Sequence, residues 1–437
     1  MFNLDFKDYS ILEEKHKEWC LLHSALPTPN PHLGNEFTEW LYSIENDIYT
    51  LQPGGMLEKL SNLVKFIEDS ITLNTTLFNA LFRQGFLFWE RNAKHNVLYF
   101  VFSWPEEAGF QRVKNLLTRR SSASVNSELQ RALEAEGLLN DLNNILVGVE
   151  GNSLFQKMKK LFQNDGNIKI PVTKFMGNNS FEDFEQLCSS HFDYKKFSRQ
   201  REGWGPYPLI DELKNTVCPY CNRSYIHSVF EDSIFGGRPE LDHFLSKSIF
   251  PFFALSIYNL IPVCHSCNHA KLDKHVVKIV GGQAEYTHLH PNITEDNVLN
   301  TQMFKTEQEG DLLTFLMTND FSLKGKIRIT DNCKASTKVK NSLELYKLAF
   351  DGIDERLIGY YSEHYKDIEI TLNLVKQYPR SAIHSIANLI KEDSKTLQRV
   401  FVENLISESP WEEPLGKLKR DLLDSIINSL DLEESDL

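Results

Sequence analysis

Four of the seven cysteines in this 437-residue chain form two Cys-X-X-Cys pairs, Cys218-Pro-Tyr-Cys221 and Cys264-His-Ser-Cys267. Each pair presents two thiolates from one tight turn. Two such knuckles complete a tetrahedral four-sulfur shell that leaves a zinc ion no open position. The expected chemistry is a structural staple: Zn²⁺ held by Cys218, Cys221, Cys264 and Cys267, with Cys20, Cys188 and Cys333 uninvolved. Such a staple suits a pure binding module as well as an enzyme.

The stretch between and around the second knuckle, PELDHFLSKSIFPFFALSIYNLIPVCHSCNHAKLDK over 239–274, narrows the reading. It carries an Asp-His pair (Asp242, His243), then Asn259 before an apolar run, then Cys-X-X-Cys-Asn-X-X-Lys with Asn268 and Lys271. In that order these residues resemble the HNH endonuclease family. Together with VCPYCNRSYI (217–226) they resemble bacterial HNH proteins of phage defence, including the nuclease partners of Septu-type and retron systems. The resemblance covers about 60 of the 437 residues.

It implies a two-stranded hairpin packed on a helix around one catalytic ion, and a metal-dependent hydrolase of phosphodiester bonds. His243 is the expected general base, because an imidazole titrates near neutrality. Asp242 and Asn268 are the expected ligands of Mg²⁺ or Mn²⁺, hard oxygens for a hard cation. His269, beside Asn268, is the alternative ligand. Asn259 is expected to orient His243 by hydrogen bonding, and Lys271, one helical turn beyond Asn268, to face a substrate phosphate. Products with a 5′-phosphate and a 3′-hydroxyl are implied. DNA is the favoured substrate. Two alternatives stay open: an RNA or tRNA nuclease using the same site, and a non-catalytic zinc module that binds nucleic acid or protein. His265 and His269 either serve as zinc ligands or face solvent or substrate, the latter favoured with four thiols available, and Glu240 shares a strand face with Asp242.

The resemblance implies the elements that must position these residues, and the sequence permits them. RPELDHF reads as the first strand, NLIPVC as the second, and a helix is expected to begin near Asn268. Upstream, 54–71 places Leu57, Leu60, Leu63, Val64, Ile67 and Ile71 on one helical face. Residues 121–146 repeat that pattern behind serine caps, and 95–105 reads as a short strand. Residues 192–213 interleave Lys195, Lys196, Arg199 and Arg201 with Trp204 and Tyr207. That mixture either faces a nucleic acid or is a linker helix with a buried Trp; its place before the knuckle favours the former. Downstream, 311–318 and 325–330 read as strands, and 341–350, 367–378 and 415–430 as helices. The fold class is α+β, a mostly helical protein with an embedded ββα-metal module stapled by zinc. Its expected parts are a helical region over 1–190, the module with flanking strands over 191–335, and a helical region over 336–437.

Composition sets the limits. At 41% hydrophobic and 11% aromatic, with 29 Phe, the chain buries a core. The apolar run 249–264 is too short and too interrupted to span a membrane, and the N-terminus carries no signal-like segment, so a cytoplasmic location is expected. A formal charge of −13 disfavours unaided wrapping of nucleic acid, so contact must come from local basic patches. With the family resemblance, this charge points to a separate ATPase or sensor partner. Glycine doublets at 54–55, 236–237 and 281–282 lack the setting of a phosphate loop, and His288 and His290 read as loop residues.

Overall fold

The computed structural model describes residues 9–24, 35–45, 47–70, 86–92, 97–102, 104, 107–147, 149–161, 168–172, 180–231, 234–293, 302–308, 310–318, 321–324, 326–330, 336–346, 364–376, 380–391 and 413–432. Helices α1 (Ser10–Ser24), α2 (Asn35–Ile44) and α3 (Pro53–Ser70) open the chain. Strands β1 (Phe86–Asn92) and β2 (Val97–Phe102) follow, and β2 lies between β1 and the later β3 (Ile168–Pro171) in an antiparallel sheet. Between β2 and β3 run α4 (Ala108–Leu117), α5 (Ala123–Ala135), α6 (Leu139–Ile145) and α7 (Leu154–Leu161), and α8 (Ser180–His191), α9 (Tyr194–Ser198) and α10 (Pro206–Leu213) lead to the first knuckle.

Periodicity locates these elements well. On α3 the fully buried stripe is Met56, Leu60, Leu63, Val64 and Ile67, with Leu57 half-buried. Ile71 lies outside the described residues. The pattern over 121–146 divides in two. Ser122 caps α5 by accepting from the Val125 amide, and Gly137 at φ 69 ends it in the left-handed conformation. The Leu138 and Gly137 amides then bond back to the Leu133 and Glu134 carbonyls, a Schellman closure.

After α10 come a two-stranded ribbon, β4 (Phe230–Glu231) with β5 (Ile234–Phe235), and the central hairpin, β6 (Glu240–His243) with β7 (Leu260–Val263). The hairpin is antiparallel, with Glu240 opposite Val263 and His243 opposite Leu260. Helix α11 (His265–Lys271) starts directly after β7, three residues before the expected Asn268, so the second knuckle forms its first turn. Strands β8 (Val277–Val280) and β9 (Gln283–Tyr286) form a hairpin whose turn is Gly281-Gly282, at φ 57 and 80. Two successive positive φ values are what a tight hairpin turn demands, which accounts for that doublet. β10 (Phe304–Thr306) pairs with β11 (Ile327–Ile329).

The expected strand at 311–318 is instead helix α12 (Asp311–Met317), which turns Leu312 and Phe315 inward at a three-residue step. A short apolar run does not separate the two periods by itself, and packing chose the helix. The chain closes with α13 (Thr337–Leu345), α14 (Tyr365–Lys376), α15 (Arg380–Ile390) and α16 (Gly416–Leu432). Residues 347–350, part of the expected 341–350 helix, lie outside the described residues. No described helix is long and apolar enough to cross a membrane.

The buried core forms one cluster from Leu12 to Leu423. Its hub is the connection between β6 and β7, where Phe244, Phe250, Phe252 and Phe253 are all essentially inaccessible. Phe252 packs edge-on against Trp40 at 5.2 Å, and Phe250 against Trp89 at 5.7 Å. Backbone groups of the same loop are taken by the N-terminal helices. The Ile257 amide donates to the Tyr49 carbonyl (2.8 Å), the His16 imidazole bonds the Leu255 carbonyl (2.7 Å) and the Ser256 hydroxyl bonds the Ile48 carbonyl. The C-terminal helix reaches the other side of the hairpin. Asn222, left-handed at φ 48, accepts the Leu415 amide on its carbonyl and the Lys417 amide on its side chain. Asp421 accepts the Met303 and Phe304 amides and pairs with Lys417 at 2.7 Å.

Candidate metal centre and active site

The sulfurs of Cys218, Cys221, Cys264 and Cys267 lie within 4.8 Å of one another. A Zn–S bond of about 2.3 Å places the four sulfurs of a tetrahedral site about 3.8 Å apart, and Cys221 and Cys264 stand 3.9 Å apart. The donor set fits a four-coordinate zinc ion. Each knuckle is shaped by its own turn. The Asn222 amide returns to the Cys218 carbonyl (2.7 Å), and the Cys267 and Asn268 amides return to the Cys264 carbonyl. Cys20 and Cys188 are buried elsewhere in the core, and Cys333 lies outside the described residues.

Beside this quartet, β6 and α11 face each other. Residues 240 and 242 share one face of the strand, and residues 268 and 271 are about one turn apart on the helix, so the two pairs sit at similar spacings. Asn268 donates to Glu240, and Lys271 meets Asp242. Lys271, expected to face a phosphate, is fully buried. Its ammonium lies 3.1 and 3.2 Å from the two Asp242 oxygens and donates to the His243 carbonyl at 2.6 Å. The Tyr220 hydroxyl donates to Asp242 as well, at 2.7 Å.

Asp242 and Asn268, expected to share one divalent ion, are therefore turned to different partners. Asp242 is paired with Lys271, and Asn268 donates to Glu240 through its amide nitrogen. An ion shared by the two would have to displace Lys271 from Asp242. Replacing Lys271 with Ala is expected to cost about 3–5 kcal/mol, because it strands a buried carboxylate. The double replacement Asp242→Leu with Lys271→Met should recover much of that loss. Denaturant midpoints check this, and an unshifted midpoint for Lys271→Ala would put the lysine at the surface.

Asn259 also departs from expectation. It is inaccessible, and its side-chain hydrogen bonds go to groups other than His243. Its amide accepts from the Leu245 amide (2.7 Å) and donates to the Leu245 and Phe253 carbonyls (3.0 Å each), so it braces the connecting loop. The group that orients His243 is the Ala254 carbonyl, 3.0 Å from Nε2. A carbonyl only accepts, so Nε2 carries the proton and Nδ1 keeps the lone pair. No described residue bonds Nδ1.

His243 is 5% exposed, with the Tyr194 ring packed edge-on at 4.4 Å and the Lys247 ammonium 5.0 Å from the Tyr194 centroid. Burial first, then the Lys247 charge, holds the His243 imidazole at about 3, with Lys271 adding to the effect and the Ala254 hydrogen bond opposing it. At neutral pH the ring is uncharged. Tyr194, Lys247 and Tyr220 gave no signal in sequence, because their roles depend on packing across the hairpin.

In the stretch before the knuckle the aromatic residues pack, while Lys195, Lys196, Arg199 and Arg201 are all exposed. The Trp204 indole donates to His16 at 3.2 Å, and Tyr207 is buried and donates to the Gly236 carbonyl at 2.9 Å. Lys196 reaches the His23 carbonyl. Lys195 stays exposed and close enough to lower Lys247 electrostatically. His290 is buried against the Phe244 ring at 4.3 Å, and His288 bonds Thr287, so both belong to the loop. Compared with protein-family models, curated proteins and solved structures, the chain finds no match.

Proposed function

We propose that this chain is an HNH-type endonuclease that hydrolyses phosphodiester bonds of DNA, with His243 as general base. The observation that carries the reading is the state of His243. It is a neutral imidazole of one tautomer, anchored through Nε2 at the end of a hairpin that packs on a helix beside the four-cysteine site. The Ala254 carbonyl aims the base, but burial and the Lys247 charge hold the imidazole below the near-neutral range expected of it. A phosphate bound beside Lys247 therefore offsets that charge in this proposal and restores basicity. In this proposal Nδ1 takes the proton of the attacking water. Lys247 is the charge that acts most strongly on the imidazole, and with Lys195 and Arg238 it forms a local basic patch in a chain of net charge −13. An anionic phosphate approaching His243 meets that patch first.

No step is assigned to a shared Asp242–Asn268 ion, since Lys271 occupies the Asp242 carboxylate. The zinc staple supplies no chemistry in this scheme and holds α11 against β6. A separate ATPase or sensor docking outside the 218–271 segment belongs to the proposal, resting on the family resemblance and on charge. The test is incubation of the purified chain with plasmid, single-stranded DNA and RNA, in Mg²⁺, in Mn²⁺ and in EDTA, with zinc content checked throughout. Cleavage of plasmid is expected. Cleavage of RNA alone assigns the other substrate class. Binding without cleavage under every condition returns the module to a recognition role.

A further inference from the structure

The strand–helix face that pairs Lys271 with Asp242 carries two exposed imidazoles at its outer end. His265 and His269 are four residues apart on α11, both exposed, with ring centroids 4.6 Å apart. That spacing places two side chains on one helix face. Glu240 reaches across from β6, and its Oε1 lies 2.7 Å from His265 Nδ1 while Oε2 accepts from the Asn268 amide. Burial alone would raise the Glu240 carboxyl, but the hydrogen bonds from His265 and Asn268 outweigh it and hold the group below its usual value.

An ionised carboxylate only accepts, so His265 donates through Nδ1 and keeps its lone pair on Nε2, facing away from the strand. A carboxylate behind one imidazole nitrogen is how proteins fix a histidine for metal ligation, since it sets the tautomer and makes the outer nitrogen more basic. No described residue bonds His265 Nε2 or either nitrogen of His269.

The geometry points to a second metal site on this module, a divalent transition ion held by His265 and His269, with Glu240 as the outer carboxylate and Asn268 as its brace. Imidazole donors select Zn²⁺, Ni²⁺, Co²⁺ or Cu²⁺ over Mg²⁺. Among the described residues only the cysteine quartet brings three or more such groups together, so this is a two-imidazole site. Its remaining positions are open to water or an anionic oxygen, unlike the closed thiolate shell. Binding here does not depend on whether the chain cuts phosphodiesters.

The test uses the full, tag-free, zinc-loaded chain titrated with Ni²⁺ by calorimetry, above the ordinary histidine pKa. One Ni²⁺ per chain is expected beyond the resident zinc, with zinc content unchanged by elemental analysis. His265→Ala and His269→Ala should each abolish that binding without altering the circular dichroism. Glu240→Gln should weaken it by about ten- to a hundredfold. Absence of Ni²⁺ binding beyond the zinc, or undiminished binding in both histidine variants, overturns the proposal.

Discussion

Replacing Cys218 and Cys264 together with Ser is expected to unfold the knuckles and α11 and to release one zinc per chain. The ion ties the two knuckles to each other. Each strand of the β6–β7 hairpin has four residues and α11 has seven. A two-stranded hairpin or a helix of that length is marginal alone. The loop between the strands is anchored independently by its phenylalanines, but α11 is tied to the rest through Cys264, Cys267, Asn268 and Lys271. Zinc binding in small zinc-folded peptides supplies about 10–16 kcal/mol, as much as the whole stability of an ordinary domain, about 5–15 kcal/mol. Loss of the ion should therefore lower the thermal midpoint sharply and free Lys271 from Asp242. Elemental analysis and near-ultraviolet circular dichroism check this. Zinc retained by the double variant, or an unchanged midpoint without zinc, would show that the quartet is not the staple.

Changing His243 to Ala is expected to lower plasmid cleavage by about 10²–10⁴-fold, the usual weight of a positioned acid–base group. The fold should survive, though not for free. The Ala254 carbonyl loses its 3.0 Å partner and Tyr194 its edge contact, and a buried unpaired polar group costs about 1–3 kcal/mol. The zinc content should not change. A variant that folds, holds zinc and cuts at the parent rate removes His243 from the mechanism.

The pH profile supplies an independent check. With the folded imidazole at about 3 against an ordinary 6.5, the basic form is present above about 3 and is lost as pH falls through that value. The acid limb set by His243 therefore lies well below 6.5. Lys247→Ala removes one of the charges that hold it down, so that limb should move upward.

What the sequence determined by itself is local. The two Cys-X-X-Cys turns and the helices at 53–70 and 416–432 follow from spacing and period, and the strands at 240–243 and 260–263 from the family resemblance. The sulfur quartet was legible because each half is made within four residues and the chemistry admits one arrangement of the two halves. Tertiary structure decided which groups each polar side chain faces. Asp242 went to Lys271 and Tyr220, Asn259 to the Leu245 and Phe253 backbone, Trp204 to His16, and Glu240 to His265 and Asn268. Lysine and asparagine read alike whether they meet a phosphate or a neighbour, and only burial separates the two. At zero exposure, Lys271 must spend its charge on the carboxylate the fold places beside it.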